Sequence, residues 1–151
     1  MQMTQFVYRT SFSRGVRPIN QRRQVLLQDE INASASVMWR AHTNATITLS
    51  NNNLTATLTI GSATTVVDLL NPPTGAQFST MDAVRLSTDP PTPSGWPDQP
   101  NPGVTVLVID LPAGTYTLEV LISPQWAGVS SSSYVQPSSV PLSQWSLTSH
   151  P

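Results

Sequence analysis

The chain has 151 residues, no Cys, a formal net charge of −1 at pH 7, and only 10% charged residues. An average soluble domain carries about 25%, so the hydroxyls of Ser and Thr, about a quarter of this chain, must do much of the solvation that charges usually do. The lack of Cys excludes a disulfide scaffold, a thiolate zinc site and a thiol nucleophile together.

Charge is distributed unevenly. All seven basic residues are Arg, and five of them precede the first acid, Asp29. Residues 1–28 therefore carry +5, while residues 29–151, with two Arg and eight acids, carry −6. This asymmetry predicts a basic, extended arm over residues 1–28. The arm also holds apolar side chains. Phe6, Tyr8 and Phe12 share one face if residues 5–12 are extended. Such a face suits strand addition or groove docking on a protein, whereas phosphate binding needs charge alone. Three readings compete: an arm that holds a neighbouring molecule, the first strand of the chain's own domain, and a nucleic-acid contact. The first is preferred and nucleic acid is placed last. The partner-binding residues are then Phe6, Tyr8, Arg9, Phe12, Arg14, Arg17, Arg22 and Arg23. A chain lacking residues 1–23 is expected to fold and to lose its partner. No apolar run approaches the ~20 residues of a membrane span, and the first residues lack the apolar core of a signal peptide. The expectation is a protein made in a host cytoplasm with no membrane partner.

From residue 34 the pattern is one strand after another. Residues 34–41 are β-rich around Trp39, which reads as core. Residues 44–50 and 54–60 alternate apolar residues with Thr and Ser, the signature of half-buried strands. Asn51, Asn52 and Asn53 between them tolerate positive φ and predict a turn. Gly61-Ser62 predicts a two-residue hairpin into residues 63–70, which completes a three-stranded meander. Residues 77–87 read either as a short helix capped near Ser79 or as a strand at 83–87. Residues 90–103 contain six Pro and cannot form an interior strand; they predict a long surface loop around Trp96. Residues 103–110, apolar on both faces, predict a central strand, joined as a hairpin to residues 115–123 through Leu111-Pro112-Ala113-Gly114. The Ser-rich remainder is extended, with edge strands expected near Tyr134 and Trp145.

Groups with catalytic chemistry are sparse. His42, between two strand segments, reads as a surface turn residue, and His150 is penultimate. Asp29 and Glu30 point opposite ways on a strand, and the other acids are scattered. No nucleophile-elbow motif or Gly-rich phosphate loop is present. The sequence predicts no enzyme, no metal and no cofactor. Trp96 and Trp126 are the candidate surface aromatics: either they stack on sugars or they clasp irregular segments to the domain.

Residues 104–123, with the turn Leu111-Pro112-Ala113-Gly114 followed by Thr115-Tyr116-Thr117-Leu118, look like a hairpin of phage virion and carbohydrate-associated β-sandwich modules. With the basic arm and the hydroxyl-rich β-domain lacking Lys and Cys, the chain resembles the capsid decoration (cement) proteins of tailed bacteriophages. That resemblance implies a virion protein that trimerises on a shell and clasps capsomers with a terminal arm. Its partners would be a major capsid or other shell protein and further copies of itself. No residue role carries over, because no site motif matches. The alternative is a carbohydrate- or receptor-binding module. The expected fold is all-β, an antiparallel sandwich or jelly-roll-like domain of about eight strands. Its expected parts are the arm at 1–28, the sandwich at 29–136 and an extended tail at 137–151.

Overall fold

The computed structural model describes residues 11–87, 89–95, 97 and 101–146. Phe6, Tyr8, Arg9 and Trp96 lie outside the described residues. The fold is an all-β antiparallel sandwich. Among the described residues the strands are β1 (Ser11–Ile19), β2 (Gln24–Ala33), β3 (Val37–Thr43), β4 (Thr46–Ser50), β5 (Thr55–Ile60), β6 (Ala63–Leu70), β7 (Phe78–Asp82), β8 (Thr105–Leu111) and β9 (Gly114–Pro124). A six-stranded sheet runs β1-β2-β9-β6-β5-β4 and a three-stranded sheet runs β3-β8-β7.

The core lies between the two sheets. Leu118 and Val120 of β9, Val67 and Leu69 of β6, and Ile31 of β2 meet Trp39, Phe78, Leu107, Ile109 and Leu111 from the small sheet. The alternation of each strand sets these faces. Phe78 and Ile109 stand opposite one another in register and are both wholly buried. A side chain of that size contributes roughly 1.5–3 kcal/mol on full burial. Strand β8 is central, as its two apolar faces predicted. Val106 and Val108 point away from the core yet are also buried, on the face that carries Arg40 and His42 of the neighbouring β3.

The meander β4-β5-β6 forms as expected, with Ile60 paired to Ala63 across Gly61-Ser62. Asn51, Asn52 and Asn53 all take left-handed φ near 55°, and Leu54 N–H closes the turn on Asn51 O at 3.0 Å. The same device joins β1 to β2: Asn20, Gln21 and Arg22 have φ of 51°, 58° and 65°, and Arg23 N–H donates to Asn20 O at 3.1 Å.

Four expectations are corrected. The basic segment is not a free arm over 11–28, because β1 pairs along its whole length with β2, and β2 pairs with β9. Residue 28 thus falls inside a strand near the middle of the large sheet. Removing residues 1–23 would delete β1 and expose Leu26, so the truncated chain is not expected to fold intact. Strands β8 and β9 are not a hairpin. The chain crosses from the small sheet to the large one at Pro112-Ala113, and the inward faces of the two strands meet across the core. Residues 78–82 form a strand, neither the helix nor the strand at 83–87. Among the described residues the C-terminal segment adds no edge strand; it carries two short 3-10 turns, Ser131–Ser133 and Leu142–Gln144.

That C-terminal segment, residues 125–146, lies as a strap on the outer face of the large sheet. Side chains of β2 replace the strand partner it lacks. Gln24 accepts from Val135 N–H at 2.9 Å and donates to Val135 O at 3.1 Å. Gln28 donates to Val140 O at 2.8 Å, and Glu30 accepts from Leu142 N–H at 2.7 Å. Trp145 packs on the second core cluster of Ile19, Leu26, Leu70 and Leu121. Buried polar groups need partners, and the strap's backbone supplies them for Gln24, for Glu30 and for the amide nitrogen of Gln28.

Candidate functional site

The described members of the expected arm cluster are divided by the pleat of β1. Phe12, Arg14, Val16 and Pro18 face the side of the small sheet, while Gly15, Arg17 and Ile19 face the strap. The small sheet does not extend over β1. Phe12 is therefore 52% exposed and Val16 58% exposed. Next to them on β2, Val25 and Leu27 are half-buried. Strand β1 is also the edge of the large sheet, so one line of its backbone groups has no strand partner among the described residues. Exposed apolar side chains beside an open edge are a template for added chain.

Arg14 is fixed in the middle of this face. Its Nε and Nη2 donate to Asp29 Oδ1 and Oδ2 at 2.6 and 2.7 Å, a fork-to-fork pair. Asp29 is buried, at 1% exposure, whereas Arg14 is open to solvent. Its guanidinium is raised above its ordinary value by the hydrogen bond and the charge of Asp29, against a smaller opposing effect of desolvation. The guanidinium also lies 5.2 Å from the Phe12 ring centroid, within cation–π range.

Arg17, on the other face, stacks 5.0 Å from the Trp145 ring. Arg22 and Arg23 sit in the β1–β2 turn. Arg23 O accepts from Trp126 Nε1 at 3.0 Å, and Tyr134 Oη accepts from Trp126 N–H at 2.9 Å. Trp126 thus clasps the strap to the turn, although its ring remains half exposed. The four described arginines of the expected arm do not form one basic stripe: one is paired with Asp29, one is stacked under the strap, and two are in a turn.

Asp29 and Glu30 do point opposite ways, the first to Arg14 and the second to the strap. Glu119, also buried, accepts from Asn71 Nδ2 at 2.9 Å. Asp68 accepts from Thr55 Oγ1 at 2.7 Å. His42 is not a turn residue; it lies within β3 and projects to the outer face of the small sheet. Among the described residues no three His, Asp or Glu side chains cluster as a metal site would require.

The pairing of Arg14 with Asp29 was not read from the sequence. The signal available was the hairpin register itself: centring a turn on residues 20–23 brings residue 14 opposite residue 29. The roles of Gln24 and Gln28 were missed as well, because a polar residue in a strand reads as solvent-facing when no cover is foreseen.

No protein-family model matches the chain, and no curated protein matches its sequence.

Proposed function

We propose that this chain is a structural protein of a virion shell, a decoration protein that fastens to a shell subunit through β1. The observation that carries this reading is that, among the described residues, no strand pairs with the outer edge of β1, and Phe12 and Val16 on it are more than half exposed beside the fixed guanidinium of Arg14. A nine-residue open edge offers backbone hydrogen bonds to an extended segment of a partner. Phe12 and Val16 give that segment apolar contacts on alternate positions, and the flanking Arg22 and Arg23 favour acidic residues at its end. Three copies on a threefold axis would present three such edges. Contacts of modest individual strength then act at high effective concentration.

The test is sedimentation with particles from the chain's own source. The wild-type chain is expected to travel with the particles at a fixed ratio to the shell subunit. The double variant Phe12→Asp, Val16→Asp, at two exposed positions, is expected to keep its melting temperature and stay in the supernatant. A wild-type chain absent from particles would overturn the shell assignment. A double variant that still binds would overturn the assignment of β1.

A further inference from the structure

The strap is held unequally along its length. Its first part is clasped to the β1–β2 turn and to the ends of β2 and β9. Asn20 Nδ2 donates to Ser133 O at 2.8 Å, and Tyr134 Oη donates to Pro124 O at 2.8 Å. The buried Gln24 bonds both backbone groups of Val135, and Trp126 adds its bond to Arg23 O. Further on, β2 reaches the backbone of residues 140–145 through Gln28 at Val140 O and Glu30 at Leu142 N–H. The ring of Trp145 anchors this part on Ile19, Leu26, Leu70 and Leu121 and on the guanidinium of Arg17.

Between the two parts the strap is unsupported. Gln136, Pro137, Ser138 and Ser139 make no hydrogen bond among the described residues. An open cavity of about 490 Å3 lies between them and Asn71. No residue from Gln136 to Trp145 is buried.

Closure of residues 140–145 also withholds solvation. Leu142 and Trp145 cover Gly15 so closely that a Cβ there would not fit. On the same side Gln28 Oε1 and Arg17 Nε are buried without a hydrogen bond among the described residues. Water reaches such atoms when the cover lifts, and the chain regains conformational freedom. A segment with few buried apolar contacts and an exposed backbone opens locally, without global unfolding.

We propose that residues 140–145 form a releasable latch, which swings on residues 136–139 while the sandwich and residues 125–135 stay folded. Release takes Trp145 off Gly15, Arg17 and the apolar cluster. The open state then presents an apolar and cationic face that the closed state hides. The latch rests on the strap contacts alone and does not depend on the shell assignment.

The test is native-state hydrogen exchange of the full chain, followed by NMR at low urea concentrations. The amides of Leu142, Gln144 and Trp145 bond to Glu30 Oε1, Pro141 O and Leu142 O. A lone turn of this length does not hold itself together, so all three amides should report one shared opening. That opening exposes little surface and is expected to be insensitive to urea. Val120 and Leu121, in the middle of β9, are expected to exchange about a hundredfold more slowly and with strong urea dependence. Val135 is expected to remain slower than the latch. Glu30→Ala and Trp145→Ala are each expected to speed Leu142 exchange about tenfold, while β9 still exchanges only through the urea-sensitive process. Should Trp145→Ala fold poorly, Glu30→Ala decides alone. Leu142 exchanging with the rate and urea dependence of Val120 would overturn the proposal, because the segment would then open only with the whole fold. Three unrelated rates at Leu142, Gln144 and Trp145 would overturn it as fraying. Loss of Val135 protection together with Leu142 would overturn the hinge at 136–139.

Discussion

Gly15 lies directly beneath the indole of Trp145. A Cβ on residue 15 would stand 2.6 Å from Trp145 Cζ3 and 2.9 Å from Cε3, closer than carbon atoms approach. Gly15 is therefore the seat of the strap's last described turn. Among the described residues two polar atoms on this side, Gln28 Oε1 and Arg17 Nε, are buried without a hydrogen bond, which weakens the strap's hold. Gly15→Val is expected to lift the strap and lower stability by about 1–3 kcal/mol, the usual range for overpacking. Limited proteolysis should then cut within residues 125–146 before the strands are lost. Unchanged cleavage there would show that the ring can move aside without cost.

Arg14→Ala leaves the Asp29 carboxylate buried without its cation. The loss is expected to be about 2–3 kcal/mol, below that of a wholly buried pair because Arg14 itself is open to solvent. Arg14→Lys keeps the charge but not the two-pronged geometry, so it should lose less. Urea midpoints of the three proteins give the order directly. Equal midpoints for wild type and Arg14→Ala would mean that Asp29 finds another partner.

The β1–β2 turn holds Gln21 and Arg22 in the left-handed region, where each side chain raises the energy by roughly 1–2 kcal/mol. Arg22→Gly relieves that strain while adding freedom to the unfolded chain. The net expectation is a gain of up to about 1 kcal/mol. Thermal unfolding should shift upward by a few degrees, and a downward shift would indicate that the arginine side chain itself supports the turn.

The Asp89 carboxyl sits below its ordinary value of 3.8. The chief cause is the Leu86 N–H that donates to it; Arg40 and Arg85 act in the same direction, and desolvation opposes them. A depressed value in the folded state means that the charged form is the one held. The contact is complete above 3.8 and is lost as pH falls through the lower folded value. The loop is thus expected to loosen only in strong acid. The Leu86 amide shift, followed by NMR against pH, should move with a midpoint below 3.8 in the wild type and stay flat in Asp89→Asn. A midpoint at or above 3.8 would contradict the contact.

What the sequence disclosed followed from short-range chemistry. Alternation at residues 44–70, the three Asn of one turn and Gly61-Ser62 were enough to define the meander. Trp39 and the doubly apolar β8 were enough to find the core. What it hid was long-range. The charge of residues 11–23 resembled that of a free arm, because the partners that hold it, Asp29 and Trp145, are 15 and 128 residues away from Arg14 and Arg17 in sequence. The β8–β9 connection looked like a hairpin because a short Pro-Gly link is equally compatible with crossing between sheets.

The position of β9 has a consequence for how the molecule is made. The strand sits between β2 and β6, yet it is the last strand of the described chain. The hairpin of β1 and β2 and the meander of β4 to β6 can form early from local contacts, but neither can join the other until residues 114–124 have emerged. Until then the growing chain presents two open sheet edges, at β2 and β6, with their apolar faces unburied. Assembly is therefore governed by a late, non-local closure, which places this small protein among the slow folders and makes its nascent form the stage most exposed to aggregation.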